Sequence, residues 1–172
     1  KMAVIFKHFR TRFFNLFPLI LLFYFCLSEF DTHFRFFGII GFNFQFILIY
    51  YWVLKKPQTL GYGFIFIAGI INDVILGLPL GLSSASYLII SSFAAYIRNV
   101  SVTKTLSSNW IAFGPTLVIT NLIYVGMVIF VADLNVAYMQ IFYNSVFTFL
   151  FFPIGWIIFE IFINLTREDT HL

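Results

Sequence analysis

Six long apolar runs limit what this chain can fold into more than any other feature. They lie at about residues 13–30, 36–54, 61–78, 81–97, 110–132 and 141–165. Crossing the roughly 30 Å hydrocarbon core of a membrane takes about 20 apolar residues in a helix. Hydrophobic residues make up 61% of the 172 residues and charged residues only 10%, which argues against an ordinary water-soluble domain. The sequence therefore predicts an all-α integral membrane protein with a single six-helix transmembrane domain over residues 1–172.

Basic residues are distributed unevenly over the connections between these runs. On one side of the predicted six-helix arrangement lie nine of the ten Lys and Arg residues: Lys1, Lys7, Arg10, Arg12, Lys55, Lys56, Arg98, Lys104 and Arg167. The other side has Arg35 together with the acidic residues Glu29, Asp31 and Asp133. Cytoplasmic loops are enriched in Lys and Arg. Both termini are therefore predicted to be cytoplasmic.

Aromatic residues next to the basic connections agree with this orientation. Tyr50, Tyr51 and Trp52 come just before Lys55, and Trp110 opens the fifth run. Tyr and Trp are enriched where a membrane meets water, because one end of each side chain is apolar and the other is polar. We predict that these four residues are anchors at the membrane surface.

The first apolar run resembles the apolar part of a signal peptide, since Lys7, Arg10 and Arg12 precede it. A cleaved signal peptide ends in small residues of the Ala-x-Ala type. The sequence after this run has no such site. We therefore predict that the run is retained as the first helix.

Asp73 places an ionisable carboxylate inside the third apolar run. It lies four residues after Gly69 and four before Gly77, so the three residues share one face of a helix. A charged group near the bilayer centre costs roughly 2.5–3.5 kcal/mol on insertion scales. The face is therefore predicted to pack against the backbone of a neighbouring helix rather than against lipid.

Two roles for Asp73 follow from this position. In the first, the carboxylate accepts hydrogen bonds from backbone or from the hydroxyls of Ser83, Ser84 or Ser86 at the turn that follows, and so fixes the helix pair. In the second, it lies in a ligand pocket or at a partner interface. The first role predicts that Asp73→Leu lowers partner association or folded protein, whereas Asp73→Asn retains much of both. Equal loss in both variants would instead indicate a need for the negative charge.

No catalytic set accompanies Asp73. Intramembrane proteolysis needs two aspartates at bilayer depth, or a serine with a histidine base. His8, His33 and His171 lie in terminal or loop segments and lack the spacing of metal ligands. Glu160 lies five residues before the predicted end of the last helix, where its carboxylate is expected to be solvated. We predict no enzymatic activity, no metal and no cofactor.

Other polar residues and prolines are predicted to connect the helices. Asn121 and Asn144 are placed to form interhelical hydrogen bonds, each contributing roughly 0.6–2 kcal/mol. Pro115 and Pro153 lie in the last two runs. A proline inside a helix frees a carbonyl that a neighbouring group must satisfy.

Three segments in the central third of the chain form a recognisable pattern: residues 50–57 (Tyr-Tyr-Trp-Val-Leu-Lys-Lys-Pro), residues 68–82 (Ala-Gly-Ile-Ile-Asn-Asp-Val-Ile-Leu-Gly-Leu-Pro-Leu-Gly-Leu) and the end of the fourth run at residues 95–97. In order and spacing they resemble the rod shape-determining protein MreD family. Asn144 and Pro153 add a weaker match in the last run. The remaining runs match the family in hydropathy.

This resemblance implies a multi-pass protein of the bacterial inner membrane that acts in cell elongation without catalysis. The direct partner that the resemblance implies is MreC. The indirect partners, which would join through the complex, are the MreB filaments, the glycosyltransferase RodA and a class B penicillin-binding transpeptidase. The implied fold is a compact bundle similar to the substrate-binding subunits of energy-coupling-factor vitamin transporters. The signature residues carried over are Gly69, Asp73, Gly77, Pro79 and Gly81, with Pro57 marking a cytoplasmic turn.

The alternative function is a substrate-binding membrane subunit of a small-molecule transporter. Such a site needs convergent polar and aromatic side chains at the non-cytoplasmic helix ends, and loops that close over the ligand. The turn at Pro79 is too short to act as a lid, and residues 133–135 offer only a modest cap. A scaffold that binds partner helices and membrane lipid is favoured, and nucleic-acid binding is not predicted.

Overall fold

The computed structural model describes residues 16–27, 42–101, 105–132 and 138–168. These residues form six α-helices. The helices are α1 Leu16–Leu27, α2 Phe44–Lys55, α3 Tyr62–Leu76, α4 Leu82–Val100, α5 Leu106–Met127 and α6 Tyr138–Glu168. A π-helical turn, Val128–Ala132, continues α5. The predicted all-α architecture with six helices is confirmed for these residues.

Helix α2 lies at the centre of the bundle. Its side chains from Phe46 to Leu54 are all buried, so no face of the helix is left for solvent. A helix that is apolar all round is stable only when it is covered on every side. α4 and α6 pack against it, and α1 covers it with the Phe25 ring 4.5 Å from that of Phe44. α5 packs against α4 and α6, and α3 packs against α4.

The aromatic residues predicted as membrane-surface anchors on α2 instead belong to the core. Tyr50, Tyr51 and Trp52 are no more than 1% exposed. The Tyr50 ring lies 4.9 Å from that of Phe113 on α5, and the Tyr51 ring lies 4.8 Å from that of Trp156 on α6. The anchor prediction is wrong for these three residues, because they interlock α2 with its neighbours.

Helix boundaries differ from the predicted ones. α2 begins at Phe44 rather than near residue 36, and the preceding Asn43 is non-helical and donates its N–H to Thr148 Oγ1 at 2.9 Å. The predicted helical residues 36–41 lie outside the described part of the chain, as do Arg35 and Asp133. α5 begins at Leu106, earlier than predicted, because Thr105 caps its first turn.

Two helices in the described part are long and apolar enough to cross a membrane, Leu106–Phe130 and Tyr138–Asn164. α1, α2 and α3 are apolar but shorter. At 1.5 Å per residue, the 12 residues of α2 extend only about 18 Å. α2 is therefore well short of the full-length span that its apolar run predicted.

Candidate functional site

Asp73 is fully buried at the junction between α3 and α4. Its Oδ2 accepts a hydrogen bond from the backbone N–H of Gly81, and its Oδ1 accepts one from the N–H of Ser83, each at 2.8 Å. These amides belong to the first turn of α4, whose N-cap residue, Gly81, has no side chain to cap them. Asp73 therefore supplies from α3 the acceptor that α4 lacks.

The position of the Asp73 carboxylate at the N-terminus of α4 is electrostatically favourable. The N-terminus of a helix carries a partial positive charge and attracts an anion. Asp73 also lies in the last turn of its own helix, α3, where the helix dipole disfavours a negative charge. The two short hydrogen bonds to α4 offset that disadvantage, so the negative charge couples the end of one helix to the start of the next.

The turn between α3 and α4 depends on two glycines with positive φ. Gly77, at φ 64°, ends α3 in a Schellman motif: its N–H donates to the Val74 carbonyl at 3.4 Å, and the Leu78 N–H donates to the Asp73 carbonyl at 2.9 Å. Gly81, at φ 106°, precedes α4. Other residues rarely adopt such angles, so both positions require glycine.

Gly69 allows α3 and α4 to approach closely one turn before Asp73. A Cβ at this position would lie 2.4 Å from the Ser84 Cα, so any side chain would force the two backbones apart. The Ser84 hydroxyl donates to the Phe66 carbonyl at 3.0 Å, and the Asn72 amide donates to Ser83 Oγ at 3.0 Å. The predicted packing of this face against a neighbouring backbone is confirmed at Gly69.

Two predicted details of this junction are corrected. Gly77 lies beyond the end of α3, and a Cβ there would meet nothing within 4 Å, so it shapes the turn instead of packing helices. The predicted backbone donors reach Asp73, whereas the serine hydroxyls bond elsewhere: that of Ser83 accepts from Asn72, and that of Ser86 donates to the Leu82 carbonyl.

The two prolines of the predicted signature both lie in turns. Pro57 is exposed and is the second residue of a turn closed by the Thr59 N–H donating to the Lys56 carbonyl at 3.1 Å. Pro79 opens a turn closed by the Leu82 N–H at 3.4 Å. The signature residues that meet at the α3–α4 junction are Gly69, Asp73, Gly77, Pro79 and Gly81. Pro57 lies in the turn that precedes the N-terminus of α3.

Pro153 and Asn144 lie in α6, outside this junction. Pro153 has no N–H for the Phe149 carbonyl one turn earlier, and the Trp110 indole N–H donates to that carbonyl at 2.9 Å. The prediction that a neighbour satisfies the freed carbonyl is confirmed here, and Trp110 is a partner of α6.

Asn144 Oδ1 is buried without a hydrogen-bond partner among the described residues, contrary to the interhelical bond predicted for it.

A second carboxylate, Glu160 on α6, connects that helix to the end of α2. Its Oε2 accepts from the Tyr51 hydroxyl at 2.9 Å and lies 3.0 Å from the Lys55 Nζ. The Lys55 ammonium also lies 5.0 Å from the centre of the Trp156 ring, a cation–π contact. The side chain of Glu160 is 36% exposed and that of Lys55 is 25% exposed. The carboxylate predicted to be solvated is therefore half of a partly exposed ion pair.

Sequence reasoning missed this ion pair. It assigned Lys55 to a loop, whereas Lys55 is the last residue of α2. Its partner lies 105 residues away, and no local spacing signals such a contact. Arg98, in the last turn of α4, reaches the same end of α2 and donates from Nη1 to the Val53 carbonyl at 3.0 Å.

The two carboxylate sites differ from sites built for metal or acid–base chemistry. Both oxygens of Asp73 accept hydrogen bonds from backbone amides, and Glu160 is shared between a hydroxyl and an ammonium. Within the described residues, no three His, Cys, Asp or Glu side chains come together as a metal site. No family model, curated protein or solved structure matches the chain. The geometry itself assigns both carboxylates a role in fastening helices to one another.

Proposed function

We propose that this chain is a multi-pass protein of the bacterial inner membrane, with six membrane-embedded helices and both termini in the cytoplasm. The supporting observation is the inverted distribution of polarity. Ile111 and Leu122 on α5 are 71% and 67% exposed, while Asp73, Ser84 and Thr120 are 0% exposed. Moving one large apolar side chain out of water contributes about 1.5–3 kcal/mol. Lipid around the bundle would remove many such side chains from water.

Within that membrane, the proposed function is a non-enzymatic scaffold of the rod complex, which supports cell shape and peptidoglycan synthesis. The support is the resemblance to the MreD family over residues 50–97, together with where its signature residues lie. Each of these residues has a part in the α3–α4 junction: Gly69 permits the close approach of the helices, Asp73 accepts hydrogen bonds from α4, and Gly77, Pro79 and Gly81 form the turn.

The proposed direct partner is MreC, and MreB, RodA and a class B penicillin-binding transpeptidase join through the complex. A scaffold of this kind binds through packed helix faces, which requires each helix to keep its position. Asp73 and Gly69 hold α3 against α4, so partner binding is expected to depend on the junction even though the Asp73 carboxylate is buried.

The test is co-purification in mild detergent with the MreC encoded in the same genome. The wild type is expected to retain MreC, and an Asp73→Leu variant that still accumulates is expected to retain less. Glu160→Leu is the matched control, because it removes the carboxylate that joins α2 to α6 and leaves the α3–α4 junction unchanged.

The opposing outcomes are equally specific. A wild-type protein that purifies without MreC, but carries a small molecule detected by mass spectrometry, would reject the scaffold in favour of the transporter subunit. If Asp73→Leu and Glu160→Leu both retained MreC at wild-type levels, MreC binding would not depend on either carboxylate. The chain could still be a scaffold, but the α3–α4 junction would not be needed for partner binding.

A further inference from the structure

Basic residues come together at the C-terminal end of α2. Lys55 is the last residue of that helix, and Lys56 is its C-cap. Arg98, in the last turn of α4, donates from Nη1 to the Val53 carbonyl at 3.0 Å, which brings its guanidinium to the same helix end. Lys55, Lys56 and Arg98, here called the basic end, are therefore gathered from two helices.

The positive charge of the basic end exceeds the negative charge beside it. Lys55 pairs with Glu160 at 3.0 Å. The other carboxylate whose side chain the structure describes, Asp73, bonds to the start of α4, whereas Arg98 is at the end of that helix. Among the described residues, no carboxylate lies within ion-pair distance of Lys56 or Arg98. The carbonyls at the C-terminus of α2 offset only about half a unit charge, so an excess of positive charge remains.

Exposed apolar and aromatic side chains flank these cations along the chain. Tyr96 and Val100, on either side of Arg98, are 64% and 59% exposed. Tyr62, which opens α3 after the turn that contains Lys56, is 52% exposed. Tyrosine is enriched where a membrane meets water, because its ring is apolar and its hydroxyl is polar. The basic end is therefore bordered by side chains that suit the boundary between headgroups and hydrocarbon.

Phosphate is the anion that these cations suit best. The Arg98 guanidinium carries five N–H donors in a planar fork, and the bond to the Val53 carbonyl uses one of them. Such a fork matches two oxygens of a phosphate group. Lys56 is exposed and adds a point charge on a flexible stem. An anionic phospholipid has both a phosphodiester for the cations and acyl chains for the apolar neighbours.

We propose that the basic end binds the phosphate group of an anionic phospholipid, with Lys56 and Arg98 as the binding residues. The proposal rests on the membrane insertion proposed above and not on MreC binding. Basic residues next to membrane helices attract anionic lipids in general. The structure distinguishes among them here, because Glu160 already neutralises Lys55 and the Val53 carbonyl fixes the position of Arg98.

The experiment titrates lipid binding by native mass spectrometry of the full-length protein in detergent. Phosphatidylglycerol is compared with phosphatidylcholine of the same acyl chains. Lys56→Gln is the main variant, because this exposed side chain is not needed for folding, and Arg98→Lys keeps the charge but removes the fork. The double variant Lys55→Gln/Glu160→Gln removes the ion pair without changing the net charge. Lys104→Gln, outside the described residues, makes the same change in net charge as Lys56→Gln.

The wild type is expected to bind its first phosphatidylglycerol several-fold more tightly than its first phosphatidylcholine. Lys56→Gln and Arg98→Lys should each lower this preference several-fold, whereas the double variant and Lys104→Gln should keep it. Equal affinity of the wild type for the two lipids would overturn the inference, as would an unchanged preference in Lys56→Gln. An equal loss in Lys104→Gln and Lys56→Gln would also overturn it, because the attraction would then be diffuse.

Two further measurements separate the remaining explanations. Glycerol 3-phosphate, which has a phosphate group without acyl chains, should not displace phosphatidylglycerol at equal concentration. If it did, the site would take a soluble phosphate compound and the assignment to lipid would be wrong. The protein is also reconstituted in pure phosphatidylcholine vesicles and extracted at high pH. Release from the vesicles would reject membrane insertion itself, whereas retention without a preference for phosphatidylglycerol would reject only the lipid site.

Discussion

The α3–α4 and α2–α6 junctions each contain one carboxylate, and the two carboxylates are held by different kinds of partner. Asp73 is 0% exposed and accepts hydrogen bonds from two backbone amides at 2.8 Å. Glu160 has a side chain 36% exposed and bonds to the side chains of Tyr51 and Lys55. A buried amide that loses its acceptor stays unsatisfied, whereas a partly exposed ammonium can turn to water.

Glycines at the same two junctions show the same difference. A Cβ at Gly69 would lie 2.5 Å from the Ser84 backbone N, which cannot move without shifting α4. A Cβ at Gly155 on α6 would lie 2.8 Å from Ile47 Cγ2, a methyl group of a side chain on α2. The α3–α4 junction is therefore expected to tolerate substitution less than the α2–α6 junction.

The largest expected effect is that of Asp73→Leu. The buried amide of Ser83 and the partly buried amide of Gly81 lose their acceptor at about 1–3 kcal/mol each, so the variant should be destabilised by about 2–6 kcal/mol. At about 2–4 °C per kcal/mol, the unfolding temperature in detergent should fall by about 4–24 °C. Cys26 is 1% exposed, so its reaction with a thiol-reactive fluorophore on heating reports unfolding.

Glu160→Leu is the control for that measurement. It should lower the unfolding temperature less, because Lys55 is already 25% exposed and can be hydrated when its partner is lost. An equal decrease in the two variants would remove the distinction between backbone and side-chain partners.

Gly69→Ala and Gly155→Ala form the next comparison. Overpacking typically costs about 1–3 kcal/mol. We expect the upper end or more at Gly69, where backbone must move, and the lower end at Gly155, where a methyl group can shift. Gly63→Ala is the matched control on α3, because a Cβ there meets nothing within 4 Å. It should be neutral or stabilising, since Ala favours helix over Gly by about 1 kcal/mol. Equal destabilisation by Gly69→Ala and Gly63→Ala would contradict the close approach of α3 and α4.

Much of the α3–α4 junction could be predicted because its signals are local. Gly69 and Asp73 are four residues apart on one helix face, and Pro79 with Gly81 marks a turn. These features indicated a close helix pair and a hydrogen-bonded carboxylate. The choice of backbone amides over serine hydroxyls was not predictable, because it depends on the exact start of α4 and on the positive φ of Gly81.

The α2–α6 junction could not be predicted because its signals are distant or absent. Tyr50, Tyr51 and Trp52 have the sequence pattern of surface anchors, and an all-apolar helix has no periodicity that distinguishes a core-facing side from a lipid-facing one. The pairing of Lys55 with Glu160 depends on how α2 and α6 pack across 105 residues. Only the tertiary arrangement determines it.

Asp73→Asn sharpens the comparison with an intermediate effect. Each carboxylate oxygen takes its own amide, so an asparagine keeps one acceptor and turns an NH₂ donor toward the other N–H. We expect a loss of about 1–3 kcal/mol, more than the sequence pattern suggested. The same thermal unfolding assay measures it. Wild-type stability in this variant would mean that one of the two hydrogen bonds is dispensable, and a loss equal to that of Asp73→Leu would mean that the negative charge at the α4 N-terminus matters most.

Glu160→Gln is expected to have the smallest effect. The glutamine carbonyl still accepts from the Tyr51 hydroxyl, so the variant loses mainly the charge attraction to Lys55. Partly exposed ion pairs contribute about 0–1 kcal/mol, which corresponds to a few degrees of unfolding temperature at most. Salt screens exposed charges more than buried ones. The difference between wild type and Glu160→Gln should therefore shrink as NaCl is raised, whereas the difference between wild type and Asp73→Asn should not. If salt reduced both differences equally, the Asp73 carboxylate would be accessible to ions. That result would contradict its burial at the α3–α4 junction.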